Sequence, residues 1–315
     1  DSSNTIIDGD SIASVVTFDS GEDTTASLKN FTIQNGLAMG SGAYGKGGGI
    51  LLYTNSSAKL EYLNVINNIA NHGGGIAIHS GGHVIIKNST ISGNSCGRRG
   101  GGIFINGGTS AEISNVTVSG NTSDGLGGGI RIDGDAVLKN VTVVNNSAVD
   151  GGGIHVDYSG SGNYYLVFNN SILWGNTTND ITIDSEGNPN IIETYNYSMA
   201  INGLPGTGNL FSNPLFADIN NGDLTLQWGS PAIDAGDPDL DGDLSNYTTD
   251  TDDQDPDGTR MDMGAYYFNQ NDTIPPDLYI SSLSSTNVGT EDSITVFWEV
   301  GLDVGLDTAL IELLY

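Results

Sequence analysis

The sequence predicts an all-β fold, a right-handed parallel β-helix (solenoid) followed by an Asp-rich closing segment and a partial β-sandwich tail. Three observations predict it. Gly-Gly-Gly-Ile recurs five times, ending at Ile50, Ile76, Ile103, Ile130 and Ile154, at steps of 26, 27, 27 and 24 residues. Self-similarity at a fixed period of this size marks stacked repeats. Short apolar runs such as Ile76-Ala77-Ile78 alternate with a period of two, which is strand periodicity. Helical periodicity is almost absent, and the abundant Gly and Asn are poor helix residues.

Each repeat parses into three short strands, in one rung Ile76-Ala77-Ile78, His83-Val84-Ile85-Ile86 and Ser89-Thr90-Ile91. Alternation sends Ile76, Ile78, Val84, Ile86 and Ile91 inward and Ala77, Ile85 and Thr90 outward. Strands this short cannot form a hairpin sheet of independent stability. Coiled into rungs and stacked, each pairs with its copies above and below. The expected inward columns are Ile50/Ile76/Ile103/Ile130/Ile154 and Leu28/Leu60/Ile86/Ile113/Leu138/Phe168. Asn30, Asn88, Asn115, Asn140 and Asn170 fall between the second and third strands, with Tyr62 in that place in one rung. Asn tolerates the left-handed backbone a tight bend needs, and its stacked amides are expected to hydrogen-bond from rung to rung. A second set, Asn68, Asn94, Asn121, Asn146 and Asn176, ends the third strand. The triple glycines allow the sharp return into the next rung. The right hand follows from the general rule for parallel crossovers.

Composition bounds the function. The 46 glycines follow no Gly-X-Y period and only 8 prolines accompany them, which excludes collagen, while 37% hydrophobic residues argue against disorder. A chain of 315 residues buries a core without disulfide staples. With 9 Lys+Arg against 38 Asp+Glu the formal charge is -29, so nucleic acid and anionic membrane surfaces are not expected partners. Cys96 lies in Asn94-Ser95-Cys96-Gly97-Arg98-Arg99, which reads as a turn. The adjacent arginines favour a thiolate, but with no second Cys and no His partner beside it an incidental cysteine is expected. No apolar run approaches the ~20 residues that span a membrane. The chain opens without Met at Asp1-Ser2-Ser3-Asn4-Thr5-Ile6-Ile7, already strand-like, and reads as a piece of a longer protein.

These repeats resemble the right-handed parallel β-helix repeat proteins of bacterial surfaces, including the Gly-Gly-[Gly/Ala]-Ile and Asn-containing repeats of polymorphic outer-membrane adhesins. Gly206-Thr207-Gly208-Asn209, Asn213-Pro214-Leu215-Phe216, Gly229-Ser230-Pro231-Ala232-Ile233-Asp234-Ala235-Gly236 and Asp262-Met263-Gly264-Ala265-Tyr266 are similar to the closing segment of the "choice-of-anchor" β-helix proteins. The resemblance covers residues 1 to about 268. It implies export and surface attachment, hence a secreted or cell-surface location, and implies no activity. The expected division is a β-helix over 1–235, an Asp-rich closing segment over 236–268, and a linker with the start of an Ig-like module over 269–315. Ig-like sandwiches need ~100 residues, so either the module is cut off or a strand from a neighbouring copy completes it.

Two places carry candidate chemistry. Asp237-Pro238-Asp239-Leu240-Asp241-Gly242 and Asp253-Gln254-Asp255-Pro256-Asp257-Gly258 place carboxylates at alternate positions before a glycine turn, the opening of a calcium loop. Neither has the position-twelve Glu of an EF-hand; Thr248 and Gly264 stand there. A structural Ca2+ held by Asp237, Asp239, Asp241, Asp243, Asp253, Asp255, Asp257 and Asp262 is the expectation, because carboxylates packed this densely favour a cation. Asp250 is a further candidate ligand. The other place is the outward face of the Gly-Gly-Gly-Ile strand, with columns Leu51/Ala77/Phe104/Arg131/His155 and Tyr53/His79/Asn106/Asp133/Asp157. Asp133 and Asp157 then stand on adjacent rungs ~4.8 Å apart, with Arg131 and His155 beside them. In β-helix polysaccharide lyases neighbouring carboxylates bind calcium while a basic residue removes a proton, and paired carboxylates also serve glycoside hydrolases.

A non-enzymatic surface stalk or adhesin module is the expected function, since fold alone implies no activity. The alternatives are a self-assembling filament subunit, completed by strand exchange or end-to-end stacking, and a calcium-dependent polysaccharide lyase or glycoside hydrolase. The expected partners are copies of the chain itself or a surface polysaccharide or protein.

Overall fold

The computed structural model describes residues 5–158, 163–185, 188, 190–270, 278–284 and 295–300. Its parallel strands coil into a solenoid. One sheet of seven parallel strands comprises Val16–Phe18, Ile50–Leu52, Ile76–Ile78, Ile103–Ile105, Ile130–Ile132, Ile154–Asp157 and Ile181–Asp184, so its five middle strands are those that follow the triple glycines. A 12-stranded sheet carries the second and third predicted strands, and a 4-stranded sheet closes the third side.

The inward columns form in the predicted register. Ile76 pairs with Ile50 and Ile103, and Ile130 with Ile103 and Ile154. Leu28, Leu60, Ile86, Ile113, Leu138 and Phe168 likewise follow one another. Nearly all of these side chains are buried in one continuous core, with Leu28 packed partly buried at its edge. That core is the main stabilising term, because non-directional apolar burial is what many short strands can share.

Three details differ from the sequence expectation. In the middle rungs the second and third strands are one bent strand: His83–Ser92, Ser110–Ser119 and Asp135–Val144. Asn88, Asn115 and Asn140 sit at the bend with φ of 50°, 54° and 53°. A single left-handed residue turns the chain while pairing resumes on both sides, at Lys87↔Ser114 and Ser89↔Val116. Secondly, residues after the second asparagine set pair as a separate sheet of Leu37–Ala38, Ile69–His72, Ser95–Arg99 and Thr122–Ser123. Cys96 therefore lies on a strand, not in a turn.

The amide ladder is the third difference. Of the bend asparagines, Asn30, Asn88 and Asn115 are exposed and Asn140 and Asn170 are buried, and Asn115 Nδ2 to Asn88 Oδ1 at 3.3 Å is their one bond of this kind among the described residues. The ladder forms instead in the second set, which points inward. Asn68, Asn94, Asn121 and Asn146 each donate from Nδ2 to Oδ1 of the next at 3.0 Å, ending on Asn176. Each Oδ1 also accepts the backbone N–H of the preceding asparagine. Asn176 passes its amide to Asp180 Oδ1 at 2.9 Å, where an acceptor suffices and a carboxylate serves. In a dry interior an unpartnered polar atom is costly, which favours a ladder among the buried asparagines of the third side, whereas the exposed bend asparagines face solvent.

The glycines have two duties. Gly47, Gly73, Gly100, Gly127 and Gly151, the first of each triplet, have φ between 57° and 69°. The second and third lie against the next rung: a Cβ on Gly101 would meet Gly128 O at 2.3 Å and Thr122 O at 2.4 Å.

Residues 199–268 fold back along the solenoid. Met199, Phe216, Leu224, Leu226, Ala232, Met263 and Phe268 make a second core with Val144 and Ile172. Gly264 N bonds Asn170 O at 2.7 Å and Ala265 N bonds Thr142 Oγ1 at 2.9 Å. The outward residues Thr142 and Val144 are consequently buried, which converts an alternating strand into one covered on both faces. In the tail, Leu278–Ser284 and Thr295–Val300 are an antiparallel pair; the rest of the expected Ig-like module lies outside the described residues.

Candidate functional site

The outward columns on the seven-stranded sheet form in the expected register: Leu51, Ala77, Phe104, Arg131, His155 and then Thr182. The first column is nevertheless buried. A roof covers it. Lys46, His72, Arg99, Leu126 and Asp150 form a bridged column of their own, and each stands immediately before a triple glycine. His72 lies against the Phe104 ring at 5.5 Å between centroids. Arg99 reaches Asp133 at 3.1 Å. The sequence held the signal for this roof, the fixed place ahead of Gly-Gly-Gly, but only the return of the turn over the sheet gives it meaning.

Under the roof, the four candidate residues do come together. Arg131 is 0% exposed and its Nε donates to Asp133 Oδ1. Its Nη2 donates to Asp157 Oδ2 and its Nη1 to His155 Nδ1 at 2.6 Å. Guanidinium cannot accept a hydrogen bond, so His155 Nδ1 is the acceptor and the neutral ring carries its proton on Nε2. That Nε2 faces Asp184 at 3.4 Å and Asp150 at 3.5 Å. Burial, then Arg131, holds the His155 pKa below the usual imidazole value. Burial raises the Asp133 carboxyl against the pull of Arg131. The imidazole, 1% exposed, thus has its one basic nitrogen occupied, and the guanidinium is held on three sides. The two basic groups are buried, while the carboxylates at the edge of the network stay partly exposed, Asp157 at 30% and Asp184 at 56%.

The solenoid also carries an open cleft of about 480 Å³ that sequence reasoning missed, lined by Lys46, Asn71, His72 and Arg98 together with Met39, Gly40, Ser41, Gly42 and Gly45. Lys46 Nζ donates to Gly42 O at 3.0 Å, and no carboxylate pairs with Lys46 or Arg98 among the described residues. Burial, then the charges of Arg99, Lys46 and Arg98, push the His72 pKa down to about 4. His72 is therefore neutral near pH 7, and two cations, Lys46 and Arg98, line this cleft in a chain of charge -29.

The candidate metal residues divide into two groups. Asp239, Asp241 and Asp253 present carboxylate oxygens within 4.8 Å of one another. Asp237 is tied to the solenoid, accepting from Asn169 Nδ2 at 2.9 Å. Asp243 caps its own turn, accepting from Ser245 N at 2.7 Å, and Asp250 is likewise outside the cluster. Asp262 accepts from Asp234 N at 2.7 Å and Phe268 N at 2.6 Å, and burial pushes its pKa up to about 6. Asp255 is pushed up to about 8 by burial and the adjoining Asp257. Asp257 accepts from Thr259 N at 3.0 Å and Gln270 N at 2.7 Å. These last three act on neighbouring backbone and on each other.

The family model described as right handed beta helix region matches residues 14–196, more than half of the 315 residues. The chain belongs to the right-handed β-helix family. Comparison with curated proteins and with solved structures gives no match. The matched span of this β-helix holds the roofed column, the buried Arg131 and the basic cleft; the Asp-rich segment lies beyond it. No helix among the described residues is long and apolar enough to cross a membrane.

Proposed function

We propose that this β-helix is a non-catalytic structural and adhesive module acting outside the cell, and that its basic cleft is the contact point for an acidic polysaccharide. The observation that carries this reading is the contrast between two sites of the solenoid, one on the seven-stranded sheet and one at the four-stranded sheet. Arg131 and His155, the basic groups of the outward column, are buried, whereas the cations Lys46 and Arg98 line an open cleft. A carboxylated or sulfated chain supplies the anions these cations lack, and the surrounding acidic surface repels it elsewhere, which favours specificity over indiscriminate binding. The stacked core supports the structural half of the reading, because a solenoid in which each turn rests on its neighbours makes a stiff spacer.

Titration calorimetry with a polyuronate, a sulfated polysaccharide and a neutral glucan tests the proposal, run beside a cleavage assay on the same three polymers. Salt-sensitive binding of an acidic polymer without cleavage, lost in Lys46→Ala/Arg98→Ala, is the expected result. Cleavage that disappears in Asp133→Asn or Asp157→Asn would make the chain an enzyme. Absence of binding to all three would remove the adhesive half, and regular filaments in electron micrographs of the same sample would replace it with self-assembly.

A further inference from the structure

The two Asp-x-Asp-x-Asp-Gly strings are not two separate loops. Asp239 and Asp241 come from the first and Asp253 from the second, and one carboxylate oxygen of each lies within 4.8 Å of the others. The strings are already locked together, since Asp253 Oδ1 accepts the backbone N–H of Leu240. Gly242 and Gly258 make the left-handed turns that end them, with φ of 83° and 88°.

Asp253 points to what is shared. It is 0% exposed, and its Oδ2 has no hydrogen-bond partner. A buried carboxylate oxygen without a protein donor is costly, and the presence of two more carboxylates makes it more so. No basic side chain relieves it. Lys139, the base bonded to this stretch, gives its ammonium to Leu240 O at 3.1 Å rather than to a carboxylate. Arg260 stacks over the Tyr197 ring at 5.4 Å. No ion pair joins Asp239, Asp241 or Asp253 to a base among the described residues.

We propose that Asp239, Asp241 and Asp253 form a single divalent-cation site of the calcium type, bridging the two strings. The donors are all hard oxygens, and a loop of alternating carboxylates suits the irregular, high-coordination shell of Ca2+ better than the strict octahedron of Mg2+. The site is coupled to docking of the segment on the solenoid, because Asp237 N bonds Asn170 Oδ1 at 2.6 Å and Lys139 bonds Leu240. Cation binding therefore stabilises the flank of the β-helix as well as the loop.

The full chain, freed of metal by chelator and dialysis, is titrated calorimetrically with Ca2+ and separately with Mg2+, and its thermal midpoint is recorded with each. One Ca2+ per chain, a rise in midpoint with Ca2+ and binding at least tenfold weaker for Mg2+ are expected. Asp253→Asn and the exposed Asp241→Asn each lower Ca2+ affinity at least tenfold, and Asp243→Asn, outside the cluster, leaves it within twofold. Should Asp253→Asn fail to fold, Asp241→Asn alone decides. Two independent ions per chain would overturn the shared site, equal Mg2+ binding would overturn the calcium class, and no heat or midpoint change with either ion would overturn the site.

Discussion

Removing one rung of the inward amide ladder, by Asn121→Ala, tests the account of what holds the turns in register. Asn121 is fully buried. Its Oδ1 accepts from Asn94 N and Asn94 Nδ2, each at 3.0 Å, and its Nδ2 donates to Ile91 O at 2.9 Å and Asn146 Oδ1 at 3.0 Å. After truncation Asn94 Nδ2 keeps Val65 O at 2.8 Å, and Asn146 Oδ1 keeps Asn121 N at 2.9 Å. The backbone N–H of Asn94 is stranded, and Ile91 O loses one donor. A buried polar group left without its partner costs ~1–3 kcal/mol, so the expected loss is about 3 kcal/mol once the small cavity is included. Urea unfolding followed by circular dichroism reads it. Asn115→Ala is the control, an exposed bend residue at φ 54°, where Ala costs only the ~1–2 kcal/mol of a left-handed residue and Gly restores it. Asn121→Asp keeps the acceptor but opposes Ile91 O and Asn146 Oδ1, so it destabilises at neutral pH and partly recovers in acid. If Asn121→Ala costs no more than Asn115→Ala, the ladder is not a stabilising element and the register argument fails.

Four further outcomes follow from the same structure. Gly101→Ala places a Cβ 2.3 Å from Gly128 O, whereas at Gly120, φ 61°, it meets nothing within 4 Å. Thermal melts are expected to show a severe loss for the first and only ~1 kcal/mol of backbone strain for the second. The Cys96 thiol is buried, donates to Ser123 Oγ at 3.3 Å, and has its pKa raised by burial; it should resist thiol reagents in the native protein and react fully in denaturant. His72 titrates near 4 when folded against 6.5 ordinarily, so the unfolded chain takes up a proton in that window that the folded chain refuses. Stability should therefore fall as pH drops from 6.5 to 4, and His72→Phe should flatten this part of the melting profile relative to wild type. Arg131→Leu leaves Asp133 and Asp157 without their buried cation and His155 Nδ1 without its donor; a loss of about 3–5 kcal/mol in chemical denaturation is expected.

The sequence by itself determined the solenoid and its register. Inward Ile, Leu and Val recur at one place per repeat, and a one-residue slip would expose the whole set, so burial alone specifies the pairing. It also determined which residues take left-handed backbone, since Asn30, Asn88 and Asn115 occupy bends that β-branched residues avoid. Tertiary structure decided the rest. Which asparagine set forms the ladder depended on which one the third side turns inward. Phe104, Arg131 and His155 read as outward and therefore available, yet the residues before each triple glycine roof them over. Arg131 changed from a candidate reagent into a buried counter-ion for that reason. Asp239, Asp241 and Asp253, twelve to fourteen residues apart across the two strings, meet only because the Leu240 backbone docks on Asp253. Periodicity reports which face a side chain takes, and it carries no information about what later lies on top of that face.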